Sequence, residues 1–260
     1  MMGALYSAAS GMKAQQLNID VISNNLANVN TPGFKRQRAE FQDLLYRTAT
    51  AAGVPVSQGT STPVGEQVGT GVRPVATTKI FSQGDFEQTG NPLDLTIQGD
   101  GFFQIQQNDG TIAYTRDGSF KVDRDGTIVN DEGLPLSPQI TIPQGAQNIT
   151  VSQEGVITAQ VNGQQSTLGQ LSLVRFMNPA GLSSAGGNLL LQTQASGDPQ
   201  ESLPEANGTG SILQGYLEES NVRVVDEMVN LITAQRAYEA NSKAIQTSDT
   251  MLSEANQLKQ

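Results

Sequence analysis

Two stretches at opposite ends of the chain carry apolar residues at helical spacing, and the stretch between them does not. Leu5, Met12, Ile19 and Leu26 fall seven apart, and Ala8, Gln15, Ile22 and Val29 form a second row offset by three. That is an a/d pattern, weakened at Gln15, over about 25 residues. Thr31-Pro32-Gly33 ends it, because Pro cannot continue a helix and Gly permits a reversed turn. Near the other end Val224, Leu231, Tyr238, Ile245 and Leu252 also fall seven apart, and Ser220 or Asn221 stands where a cap belongs. A helix over about 222–257 is predicted, roughly 50 Å long. Its second row turns polar, and so narrow a stripe suits a seam against another helix better than a globular core. The nine residues Leu5, Met12, Ile19, Leu26, Val224, Leu231, Tyr238, Ile245 and Leu252 are the expected seam between helices.

The middle reads as strand and turn. Asp109-Gly110, Asp117-Gly118 and Asp125-Gly126 recur every eight residues, each followed by β-formers, and Asp100-Gly101 is an irregular earlier copy. Asp-Gly is a tight-turn signal, so short antiparallel strands in a meander are predicted. Phe81, Phe86, Phe102, Phe103, Tyr114, Phe120 and Phe176 are its expected core. Residues 47–71 are Thr, Ser, Ala, Gly, Val and Gln with two prolines, and predict an extended arm or long hairpin; Thr193 to Gly210 has the same character. The fold class is α+β. Terminal helices (1–32 and 217–260) form a coiled-coil-like domain, 33–75 connects and carries the arm, and 76–216 is an antiparallel β-rich domain.

Composition narrows the chemistry. The 260 residues carry a net charge of −10 and no His or Cys. Imidazole bases, thiolates, disulfides and Cys/His zinc sites are excluded. The acidic balance argues against nucleic acid. The one basic cluster, Lys35, Arg36 and Arg38, is followed by Glu40 and Asp43 and reads as a solvated loop. No run approaches a membrane span, so no membrane insertion is expected. Met1 to Lys13 lacks the apolar core of a signal peptide, so any export is expected to proceed without a cleaved one.

Candidate sites are few. Within 121–132, Asp123, Asp125, Gly126, Ile128 and Glu132 match a calcium loop, but Lys121 puts a cation at its first position, and the flanks read as strands; a turn is expected. Glu218/Glu219 and Asp226/Glu227 are adjacent pairs that do not converge on a helix, and read as solvated surface. No catalytic, cofactor or metal residue is assigned.

Both ends resemble the flagellar rod and hook family of axial proteins. At the N-terminus the resemblance rests on Ser10-Gly11-Met12, Gln15-Gln16-Leu17, Asn24-Asn25-Leu26-Ala27-Asn28 and Thr31-Pro32-Gly33-Phe34-Lys35. At the C-terminus it rests on Gly215-Tyr216-Leu217-Glu218, Ser220-Asn221-Val222, Glu227-Met228, Gln235 to Asn241, Lys243 and Asp249. Gly101-Phe102-Phe103 and Tyr114 to Gly118 resemble the family's middle domain. Chain length, Gly69-Thr70-Gly71-Val72-Arg73 and the arm after Leu44-Leu45-Tyr46 favour the distal-rod branch. The resemblance implies a non-enzymatic, cofactor-free subunit of a helical homopolymer that carries motor torque across the periplasm. It also implies export by the flagellar type III apparatus, and proximal rod proteins, the hook protein and a surrounding ring bushing as neighbours. Another axial protein of the family, proximal rod or hook, is the nearest alternative; a secreted carbohydrate-active enzyme and a calcium-dependent adhesin are alternatives of other classes.

The arm has little to bury within one chain but can reach a neighbour. Deleting 47–71 is expected to leave a soluble, folded subunit and a polymer that bends. Electron microscopy of assembled rods, set beside the melting temperature of the purified variant, checks this. Straight rods from a less stable monomer would contradict it.

Overall fold

The computed structural model describes residues 2–51, 55–57, 60–61, 64–161 and 163–257. Parts of the expected arm, 52–54, 58–59 and 62–63, lie outside the described residues. The chain divides into two compact units: Met1–Ala27, Gln37–Thr78 and Arg223–Gln260 form the first, Asn28–Arg36 and Lys79–Val222 the second.

In the first unit, helix α1 (Met2–Ala27) packs along helix α2 (Val224–Gln257). The side chains fully withdrawn from water are mostly small: Ala8, Ala14, Val21 and Ile22 on α1, Ala234 on α2. Small side chains let two helices approach closely. At Gly11 a Cβ would stand 2.9 Å from Asn241 Nδ2, so any larger residue displaces the Asn241 side chain. Asp226 and Glu227 lie in the first turn of α2, where carboxylates suit the positive end of the helix dipole. Thr233, Thr247 and Ser248 of α2 each donate to the carbonyl four residues back, which satisfies hydroxyls on its exposed side.

The same unit holds the arm, which is a long hairpin. Tyr46–Thr50 pairs antiparallel with Glu66–Gly69, and Pro55–Ser57 pairs with Thr60–Ser61. Every residue of Tyr46–Thr50 and Glu66–Gly69 is exposed, as the composition led one to expect. At its base Gln37–Asp43 and Val72–Lys79 form a two-stranded sheet. Gly71 adopts φ +124° beside Ser10, whose Oγ accepts a bond from Val72 N at 3.2 Å.

The second unit is antiparallel β throughout. A five-stranded sheet runs in the order Leu136–Ser137, Phe103–Gln106, Ile112–Thr115, Leu189–Leu191, Ser183–Gly186. Gln147–Val151, Val156–Val161 and Gln164–Gln170 make a three-stranded sheet. Leu95, Ile97, Phe103, Ile105, Phe120, Ile128, Leu136, Ile157, Leu173 and Ile212 fill one core; Phe102, Tyr114, Val174, Phe176 and Leu190 fill another. Phe103 meets Phe120 edge to face at 5.2 Å.

Several expectations need correction. Asp109-Gly110 turns the Phe103–Gln106/Ile112–Thr115 hairpin, and Asp125-Gly126 turns the Lys121–Val122/Ile128–Val129 hairpin. Asp117-Gly118 makes no such turn. A Cβ at Gly118 would collide with Leu95 O, so this glycine serves close backbone approach rather than reversal. The regular meander therefore breaks after one step. Phe86 sits half outside the core, because its strand Phe86–Gln88 pairs only with Tyr216–Glu218. Thr193 to Gly210 is no arm: Gln200–Ser202 pairs with Leu173–Arg175, and Ser196 and Thr209 are buried.

Removing the Phe103 ring leaves a void that an antiparallel sheet cannot close. Phe103→Ala is expected to cost about 3–5 kcal/mol and lower the thermal midpoint by about 10 °C, whereas exposed Phe86→Ala should shift it far less. Scanning calorimetry of the two variants checks the contrast.

Candidate functional site

The terminal helices place the expected seam residues unevenly. Leu5, Met12, Ile19 and Leu26 on α1, and Leu231, Ile245 and Leu252 on α2, are half-buried. Val224 and Tyr238 are exposed. The row at Val225, Met228, Val229 and Ile232 lies one position along from the seven-residue repeat. It is spaced i, i+3, i+4, i+7 and forms one helical stripe. These side chains retain 73, 50, 57 and 49 % of their surface in water. An uninterrupted apolar stripe of this kind on a folded helix marks an interaction surface.

The Asn-rich family motif has a structural use. Asn25 is buried, and its amide acts as a surrogate strand partner: Nδ2 donates to Gln37 O at 2.8 Å while Gln37 N donates to Oδ1 at 2.9 Å. The same Nδ2 donates to Glu227 Oε2 at 3.3 Å, which ties α1 to the first turn of α2. Glu227 is therefore buried, not the solvated surface expected of it; Asp226 beside it is exposed. Asn24 is exposed, and Leu26 and Ala27 complete the last turn of α1. Asn28 Oδ1 accepts from Thr31 Oγ1 at 3.2 Å, and Phe34 N donates to Thr31 O, which shapes the turn after the helix.

The remaining motif residues converge on one point in the β-rich unit. Gly33, at φ +69°, donates its N–H to Glu218 O at 2.8 Å; a Cβ there would meet Asp117 N at 2.6 Å. Lys35 follows, and its ammonium pairs with Glu218 Oε1 and donates to Ser82 O at 2.9 Å. Arg116 Nε lies 3.2 Å from Glu218 Oε2, close enough for an ion pair but off the line of a hydrogen bond. Arg116 Nη1 donates to Gly101 O at 2.8 Å, and Gly84 N donates to Glu218 Oε1 at 2.9 Å. All three charged side chains are buried. Burial pulls both Lys35 and Arg116 below their ordinary ranges, Glu218 opposes that shift in each, and Arg116 adds repulsion on Lys35.

This cluster overturns two expectations. Lys35 does not belong to a solvated basic loop, and Glu218 lies on a strand rather than on a helix surface. The partners are 183 residues apart, so neither local pattern contained the other. Arg38 alone behaves as expected, in an exposed pair with Glu40 at 3.1 Å. Asn221 also departs from its expected role as helix cap: its Oδ1 accepts from Arg36 N at 2.7 Å and its Nδ2 donates to Ile80 O and Ser82 O. The calcium-like segment forms the hairpin described above, with Lys121 Nζ 2.7 Å from Asp131 Oδ1.

Comparison with known proteins agrees with the motif assignments. Residues 5–35 match the family model described as flagella basal body rod protein. Residues 96–159 match the flagellar hook protein FlgE/F/G D1 domain, and 213–258 the flagellar basal body rod FlgEFG protein C-terminal model. The flagellar basal-body rod protein FlgG of Buchnera aphidicola subsp. Schizaphis graminum is 51 % identical over 99 % of this chain and all of its own length. That of Borreliella burgdorferi is 50 % identical over all of this chain and 99 % of its own. The flagellar basal-body rod protein FlgF of Caulobacter vibrioides is 35 % identical over 94 % of this chain and 92 % of its own.

Truncating Glu218 would strand two buried cations. Glu218→Ala is expected to destabilise the β-rich unit by about 3–5 kcal/mol, while Glu219→Ala, one residue on and exposed, should stay within about 0.5 kcal/mol. Urea unfolding followed by circular dichroism distinguishes them, and equal effects would contradict a buried ionic anchor.

Proposed function

The chain belongs to the flagellar basal-body rod protein family, and on that premise we propose that it polymerises through α1 and α2 into the tubular shaft that carries torque from motor to hook. It is a structural subunit of the distal rod. The observation that carries the polymerisation reading is the apolar stripe Val225, Met228, Val229 and Ile232, left in water by a helix whose other side is packed. In this reading Val224 and Tyr238 point toward a neighbouring copy, and Leu5, Met12, Ile19, Leu26, Leu231, Ile245 and Leu252 share their half-buried surface between the helix pair and that neighbour.

The subunit works without catalysis. Supporting this, the buried carboxylate Glu218 is held between Lys35 and Arg116 and does not face open solvent. Proximal rod proteins below, the hook protein above and a surrounding ring are its neighbours. It reaches the periplasm through the flagellar type III apparatus with its N-terminus uncleaved. No helix among the described residues is long and apolar enough to cross a membrane.

The test uses residues the folded helix does not need. The double variant Val225→Asn, Val229→Asn should retain the helical content and melting temperature of the parent chain, because both side chains are solvated in the subunit. Each is repeated at every subunit contact, so rod assembly and swimming should be lost. Val229→Ile should be tolerated. Normal rods from the double variant would sink the stripe as the polymerising surface.

A further inference from the structure

The ionic anchor carries unequal charge. Beside it lies a cavity of about 20 Å³ lined by Gly33, Phe34, Lys35, Lys79, Phe81, Arg116, Asn188 and Leu190. Three cations border this space, and the one buried carboxylate among them, Glu218, already serves two. No carboxylate among the described residues pairs with Lys79. Asp100 lies 4.0 Å from Arg175 and also acts on Arg116 through its charge, but its side chain is largely in water. Asp117 is engaged by Asn188 Nδ2 and by Ser119.

Donors remain on the cationic side. Lys35 has three N–H groups and places two, on Glu218 and Ser82 O, which leaves one. Lys79 has all three. Uncompensated positive charge withdrawn from water is costly, and it is relieved by a counter-ion or by loss of a proton. The volume limits the choice: about 10–15 Å³ of such space accommodates one water-sized particle. Space of this order favours a single-atom anion over a phosphate or a whole carboxylate.

We propose that the cavity bordered by Lys35, Lys79 and Arg116 binds one monovalent inorganic anion of chloride size, which balances the ionic anchor of the β-rich unit. Burial alone holds the Lys79 ammonium below its ordinary range, in keeping with a charge that no carboxylate among the described residues pairs with. The site is local: the chain as a whole is acidic, so a halide gains nothing from the long-range field and is held only by these three side chains.

The experiment uses the purified full chain. Thermal midpoints are measured at constant ionic strength while sodium chloride replaces sodium gluconate, in the parent protein, Lys79→Met and Lys79→Arg. Chloride is expected to raise the parent midpoint by about 3–6 °C at roughly tenfold its dissociation constant. Lys79→Arg should keep the response and Lys79→Met should lose it. The chloride-35 resonance should broaden in the presence of the parent protein and not of Lys79→Met. If Lys79→Met fails to fold, line broadening by the parent, relieved by added bromide, still decides. An unresponsive parent overturns the proposal. So does an equal response in all three proteins, which signals screening. A midpoint that follows protein concentration and not chloride overturns it too, because the counter-charge then comes from a second copy.

Discussion

A carboxylate held between an ammonium and a guanidinium, all three out of water, is the constraint on which the β-rich unit depends. Each charge would be prohibitive to bury alone, and none can be removed without stranding another. Glu218 therefore fixes where three separate pieces of chain must lie: the turn that follows α1, the strand end at Arg116, and the strand Tyr216–Glu218. Gly33 adds a backbone bond to the same residue, and Gly84 a second. Hydrophobic burial fills the two cores and supplies most of the driving force. It sets register wherever one face of a strand is buried, and the ionic anchor adds to that in the Tyr216–Glu218 strand, because a one-residue slip there would turn Glu218 to the opposite face.

The helical unit solves a different problem. It must hold its own two helices together while leaving apolar surface for neighbours. Close approach at Gly11 and the alanines provides the first, by packing and without spending large side chains. Asn25 provides direction, because its amide can satisfy Gln37 only in one orientation and reaches Glu227 from that same position. The larger side chains are then free to face outward. A helix pair stabilised through small residues and one polar clip leaves the apolar stripe of α2 exposed after folding.

Much of this was legible from the chain. Seven-residue spacing marked both terminal helices, Thr31-Pro32-Gly33 marked the end of the first, and the Thr/Ser/Gly composition of 47–71 marked the exposed pairing of Tyr46–Thr50 with Glu66–Gly69. These are local signals. What escaped is non-local. Lys35 sits among Arg36, Arg38 and Glu40 and looks like surface until Glu218 is placed beside it. Glu218 and Glu227 each have an acidic neighbour that is exposed, so the local pattern assigned both members of each pair alike. Asp117-Gly118 carries the turn signal of its neighbours, and only the approach of Leu95 separates it from them. The outward stripe of α2 was present as an i, i+3, i+4, i+7 pattern and was hidden by a heptad row one position away.

The helical unit is assembled from three pieces of chain. It begins at the first helix, is interrupted by 28–36, resumes over 37–78, and is then suspended for the whole of 79–222 before α2 closes it. The 34-residue helix that α1 packs against comes after all the other described elements. A chain of which only one end is available therefore lacks the finished helix pair. The helical unit closes in one step, when its last segment joins the first, so the order of the elements along the chain makes its completion a single late event.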